Sequence, residues 1–109
     1  MLPKTNRLTK KKDFDLAFKN GKSLRGDFLM LKVFKNNFKH SRIGFVVSKK
    51  VSKKASVRNK IKRRLRAAVL SQLENIKKPA DIIILSLPII NKKDFSQIKE
   101  EVIKLFENV

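Results

Sequence analysis

The residues of this chain that can do chemistry are mostly cations, and they are unevenly spaced. Ten Lys or Arg fall in the 18 residues from 49 to 66, and no acid lies between Asp27 and Glu74. A solvated helix face normally carries acids at i, i+4 from its cations. Here there are none, so the run reads as an electrostatic footprint for a polyanion. Arginine can grip a phosphate with two N–H groups, whereas lysine offers a point charge. A second cluster, Lys4, Arg7, Lys10, Lys11 and Lys12, precedes the first acid, Asp13. Phe14 and Phe18 lie beside it, an aromatic pair able either to stack single-stranded bases or to pack in a core. Asn59 can donate and accept, so it can read a base edge or hold an arginine, or simply start a helix.

Other chemistries are hard to build. The single histidine, His40, sits in a polar stretch with Lys39, Ser41 and Arg42 and reads as an exposed loop residue. Asp13 and Asp15 are two apart and do not face each other on a helix. They suit helix N-terminal charges better than a general acid and base. A two-metal nuclease needs several converging carboxylates, and only three precede residue 74. With three glycines there is no glycine-rich phosphate loop, and with no cysteine there is no disulfide, thiolate metal site or cysteine nucleophile. No catalytic residue and no metal ligand is assigned to this chain.

Length and charge bound the rest. The 109 residues carry a formal charge of +19 and are 41% hydrophobic. That is one RNA-binding domain, residues 1–109, with a modest core. It is too apolar for a disordered basic tail. No apolar run approaches 18 residues, so no membrane association is expected. The N-terminus lacks a signal-peptide stretch, so the cytoplasm is the expected location. A compact chain at +19 repels itself, and the usual compensation is binding to nucleic acid.

The periodicity supplies the elements that must carry these cations. Residues 10–19 read as a helix capped by Thr9, with Phe14, Ala17 and Phe18 on one stripe. Gly21 stops it in the left-handed conformation. Residues 22–25 make a short edge strand. Residues 28–35 and 42–48 alternate as strands and suit an antiparallel hairpin across the loop at 36–41. Residues 56–73 form a helix that buries Val57, Ile61, Leu65, Ala68 and Val69. Asn59, Lys62, Arg63 and Arg66 share its polar sector, and Arg58 sits at the edge of the apolar stripe. From Asn59 to Arg66 is about 10 Å of axis, room for two or three phosphates. Residues 81–87, Asp-Ile-Ile-Ile-Leu-Ser-Leu, carry a continuous apolar run, a strand buried on both faces and reached through the basic helix by a crossover. Asp94 and Gln97 form a capping box for a last helix with Phe95, Ile98, Val102, Leu105 and Phe106 inward. The order α-β-β-β-α-β-α defines an α+β single-domain sandwich, a mixed sheet with helices packed on it.

The stretch Lys54-Ala55-Ser56-Val57-Arg58-Asn59-Lys60-Ile61-Lys62-Arg63-Arg64-Leu65-Arg66 resembles the signature of the bacterial ribonuclease P protein subunit. Arg7-Leu8, Asp13-Phe14, Phe18 and Gly21-Lys22-Ser23 are similar to that family's N-terminal pattern, and Asp81-Ile82-Ile83-Ile84 followed by Pro88 to its tail. The likeness covers nearly the whole chain. Two departures stand out. Lys60 replaces the second arginine of the family's Arg-Asn-Arg and lacks the bidentate fork. Leu29 and Leu31 are aliphatic where an aromatic is common.

The resemblance implies a protein subunit that joins a required catalytic RNA and helps it remove the 5′ leader of precursor tRNA. Mg2+ would be held mainly by the RNA and substrate, and the protein would be monomeric alone. It implies a catalytic-RNA-binding set of Lys53, Lys54, Arg58, Asn59, Lys60, Lys62, Arg63 and Arg66. It also implies a leader-binding cleft of Arg7, Lys12, Phe14, Phe18, Lys22 and Leu31, and a left-handed βαβ crossover. The alternative is a ribosomal or RNA-chaperone protein with no associated reaction, and a self-sufficient metal nuclease is a third reading. Composition alone does not separate them.

Overall fold

A computed structural model describes residues 2–76 and 78–109. Its helices are α1 (Lys11–Asn20), α2 (Ala55–Leu70) and α3 (Phe95–Phe106), and its strands β1 (Lys22–Arg25), β2 (Leu29–Lys35), β3 (Arg42–Val46) and β4 (Ala80–Ser86). Short 3-10 turns occupy Lys4–Asn6, Leu73–Asn75 and Pro88–Lys92. The chain order of helices and strands is the one the periodicity predicts.

The sheet order is β1-β2-β4-β3, with β4 antiparallel to β2 and parallel to β3. Ile82, Ile83 and Ile84 are fully buried. Only a central strand, covered on both faces and paired on both edges, satisfies such a run. That requirement overturns the expected hairpin of residues 28–35 with 42–48. β4 inserts between those strands, and β3 reaches it as the parallel edge of a β3–α2–β4 crossover. Ser41 ties the connection down, its Oγ accepting from the Ala80 N–H at 3.1 Å.

The sheet divides the molecule into two layers. On one face Leu29, Leu31, Ile43, Ile82 and Ile84 pack with Ile61, Leu65 and Val69 of α2 and Ile98, Val102 and Phe106 of α3. On the other, α1 lays Ala17 and Phe14 over Leu8, Ile83 and Phe34. Asp94 and Gln97 complete the predicted capping box of α3.

Several local expectations are corrected. Thr9 does not cap α1: the N-cap is Lys10, with no side-chain hydrogen bond. Gly21 is extended, with φ −72° and ψ 151°. A Cβ there would lie 2.4 Å from the Ala17 carbonyl oxygen and 3.2 Å from the Val33 backbone. Its role is close approach of the helix end to β2, not left-handed geometry. α2 ends at Leu70 rather than 73, and a 3-10 turn takes over. Phe95 stays largely exposed, because it precedes the turns of α3 that meet the sheet and α2. Leu31, expected at the cleft, is 1% exposed. Its parity on β2 turns it toward α2 and α3, so it offers no surface to a ligand.

Candidate nucleic-acid interface

Strand parity decides which side chains flank α1. Ser23 opposes Lys32, Arg25 opposes Met30, and Met30 opposes Leu85. Directly opposed residues share a face, and the Lys32 ammonium donates to Ser23 Oγ at 2.6 Å. Lys32 also lies over the Phe18 ring, 5.7 Å from its centroid. Phe18 is 48% exposed. Beside α1 there is thus a groove floored by Met30, Leu85 and Val46 and walled by an open aromatic ring and a lysine.

The predicted cleft residues divide around this groove. Phe14 is half-buried on Gly44, where a Cβ would come within 2.6 Å of its ring. Phe18 is open. Lys12 is exposed on the flank of α1 away from Phe14, at 100° per residue. Lys22 opposes Val33 and shares the face of α2 and α3. Arg7 bridges to Ile43 on the outer edge of β3, away from Phe18. Lys32 is the fallback leader contact the sequence offers on the sheet beside Leu31, whereas Ser23 and Arg25 are not among the expected cleft residues. A period-2 count along β1 and β2 was the available signal.

Two buried polar clusters hold the groove's walls. Arg42 grips Asp81 through Nε to Oδ1 at 2.8 Å and Nη2 to Oδ2 at 2.6 Å, and reaches Asp13 of α1 through Nη1 at 3.1 Å. The hydrogen-bonded Asp81 carboxylate, against the opposing effect of burial, raises the Arg42 pKa above its already high ordinary value. At the other end, Glu101 of α3 accepts from the Asp27 and Phe28 N–H groups at 2.7 and 3.0 Å. It anchors the β1–β2 turn. Glu101 and Arg42 escape sequence reading because their partners lie 74 and 39 residues away.

The second basic surface is α2. Its N-terminus has no side-chain cap. Instead Arg58 folds back, Nη1 donating to the Ser52 and Lys53 carbonyls at 2.9 and 3.0 Å. Lys53, Lys54, Asn59 and Arg63 are exposed, while Lys62 and Arg66 are partly sheltered along the β3 edge. Lys60 turns toward the opposite flank from Lys62. Arg58→Ala is therefore expected to cost about 1–2 kcal/mol of stability, since two carbonyls lose a charged donor. Arg63→Ala is expected to leave the melting temperature unchanged and weaken RNA binding about five- to tenfold. Thermal melts and RNA titrations of both variants check this split. Binding itself is expected to fall steeply with salt, with a log–log slope of about −4 if six phosphates are neutralised on single-stranded RNA. A titration at several salt concentrations measures it.

Among the described residues no three of His, Cys, Asp or Glu converge, and Asp13 and Asp81 are committed to Arg42. No helix among the described residues is long and apolar enough to cross a membrane.

A small basic α+β domain with an aromatic groove on one face of its sheet and a cationic helix behind the other belongs to the RNA-binding proteins. The model of the family described as Ribonuclease P matches residues 2–109. A ribonuclease P protein component of Pseudanabaena sp. is 38% identical over 102 residues, 93% of this chain and 88% of the relative. One from Synechocystis sp. is 43% identical over 88 residues, 80% and 71% of the two chains. The solved RNase P protein of Thermotoga maritima superposes with a TM-score of 0.86 at 33% identity, covering 94% of this chain and 99% of the other. A Staphylococcus aureus RNase P protein mutant gives 0.88 at 28% identity, covering 96% and 88%.

The chain belongs to the ribonuclease P protein family. It is an accessory subunit of the ribonucleoprotein endoribonuclease that processes the 5′ end of tRNA, in association with the ribonuclease P RNA. A binding protein with no associated reaction is not favoured.

Proposed function

We propose that this chain, a single RNA-binding domain, holds the 5′ leader of precursor tRNA in the groove beside α1. The exposed flank of α2 and the preceding loop, through Lys53, Lys54, Asn59, Lys62, Arg63 and Arg66, meet the ribonuclease P RNA. The observation that carries the reading is Phe18, a large ring left open beside Lys32 on an apolar strip of sheet. Among the exposed apolar side chains, which include Phe38, Phe18 is the ring that stands beside a lysine on that strip, where a base gains stacking and its phosphate a cation. The protein enters assembly as a monomer in the cytoplasm. Mg2+ held by the RNA and substrate would supply an activated water, while this chain's residues position the leader.

Reconstitution tests the reading. At magnesium concentrations where the RNA alone is slow, adding the chain should accelerate release of the leader and leave the mature 5′ end. RNA-bound chain that leaves the cleavage rate unchanged contradicts it.

A further inference from the structure

A cavity of about 300 Å³ opens on the outer edge of β3, between the N-terminal segment and α2. Arg7, Lys62 and Arg66 stand around it, and Leu8, Ile43 and Phe45 contribute apolar surface. No acid lines it. Arg7 is tethered there, its Nε donating to the Leu2 carbonyl at 2.9 Å, and the residue is exposed. The Arg66 guanidinium stands over the Phe45 ring, 5.9 Å from the centroid.

These features ask for more than a bare anion. Three cations would serve a phosphate on any surface, without an apolar floor. The floor and the aromatic ring suit a base or ribose, and guanidinium planes and phenyl rings are both stacking partners for bases. A base between two such planes needs about 7 Å, two contacts of roughly 3.5 Å. The Arg66 guanidinium lies 5.9 Å from the Phe45 ring centroid, so the flexible arginine stem must swing aside to admit a base. A cavity of this size is at the lower limit for small-molecule sites and takes one nucleotide rather than a strand.

We infer that this edge cavity binds one unpaired nucleotide of the ribonuclease P RNA, its base between Phe45 and Arg66 and its phosphate on Arg7 and Lys62. The inference rests on the proposed RNA contact of α2 and adds a second kind of recognition to it. It also explains why Arg7 lies with the basic helix and not with Phe18.

The test uses the full chain, free of RNA, with adenosine monophosphate, inorganic phosphate and adenosine as separate probes in amide chemical-shift titrations. The nucleotide should shift the amides of Arg7, Leu8 and Phe45 and bind at least fivefold tighter than phosphate. Phe45→Leu should bring the two affinities together without changing that for phosphate. Lys62→Ala should weaken the nucleotide at least fivefold, whereas the same change at exposed Lys99 on α3 should not. Equal affinity for nucleotide and phosphate, or shifts confined to the Phe18 groove, overturns the site. In the assembled enzyme Lys62→Ala should weaken association with the ribonuclease P RNA and leave the precursor-to-mature tRNA affinity ratio unchanged. A fall in that ratio instead gives the nucleotide to the leader and overturns the assignment to the RNA subunit. The titrations need neither RNA subunit nor tRNA, so their failure is separable from failure of leader binding.

Discussion

Replacing Arg42 with alanine is expected to lower the melting temperature by about 12–15 °C. Asp81 carries a side chain only 5% exposed, and Arg42 satisfies both of its oxygens. After truncation a buried carboxylate keeps one neutral donor, Asn36 Nδ2, at 2.8 Å. Removing one partner of a buried ion pair costs about 3–5 kcal/mol, because the other charge is left uncompensated. The lower end applies here, since Arg42 sits near the surface. About 3 kcal/mol in a domain near 100 residues corresponds to roughly 4–5 °C per kcal/mol. Asp13→Asn should do far less, about 1 kcal/mol or below, because that carboxylate is 29% exposed and screened by water. Its loss frees α1 from β3, so leader affinity should drop in this variant more than stability does. Melting curves and precursor tRNA titrations of the two variants separate the roles. Equal, small stability losses would mean that Arg42 is an ordinary surface ion pair.

The two aromatic residues of α1 are expected to part company. Phe14→Ala should cost about 2–3 kcal/mol, below the range for a fully buried phenylalanine, because the ring is half-buried against Gly44. Phe18→Ala should leave the melting temperature within about 2 °C. It should weaken precursor tRNA binding about five- to a hundredfold, the equivalent of one stacked base at ~1–3 kcal/mol. Mature tRNA has no leader, so its affinity should hold. Melting temperature and the two binding constants, measured on both variants, test the division. A large stability loss at Phe18 with an unchanged precursor-to-mature ratio would return that residue to packing.

Much of this was legible in the residues. The acid-free run announces the polyanion, and the apolar stretch Ile82-Ile83-Ile84 announces a strand buried on both faces. What periodicity does not carry is partnership. Alternation at residues 28–35 and 42–48 is equally compatible with a hairpin and with two strands separated by β4, so the hairpin expectation failed. The same gap explains the site. Leu31 and Lys32 are neighbours in the chain, yet parity sends one into the core and the other over Phe18. Counting from Ser23 and Phe28 yields the alternation, but which parity faces α1 depends on where that helix docks. Arg42 and Glu101 were hidden for a related reason: their meaning lies in contacts made across the sheet. Arg58 looked like a ligand for RNA by its family position, while its local bonds make it also the clasp of the turn before α2.

The proposed role of this subunit is to give the enzyme its hold on the leader. Its most direct test is the affinity of the ribonuclease P RNA for precursor and mature tRNA, measured at one salt concentration with and without the chain. The chain should tighten binding of the precursor at least fivefold and leave the mature tRNA within about twofold. Equal tightening of both, or of neither, would contradict a leader site in the groove beside α1.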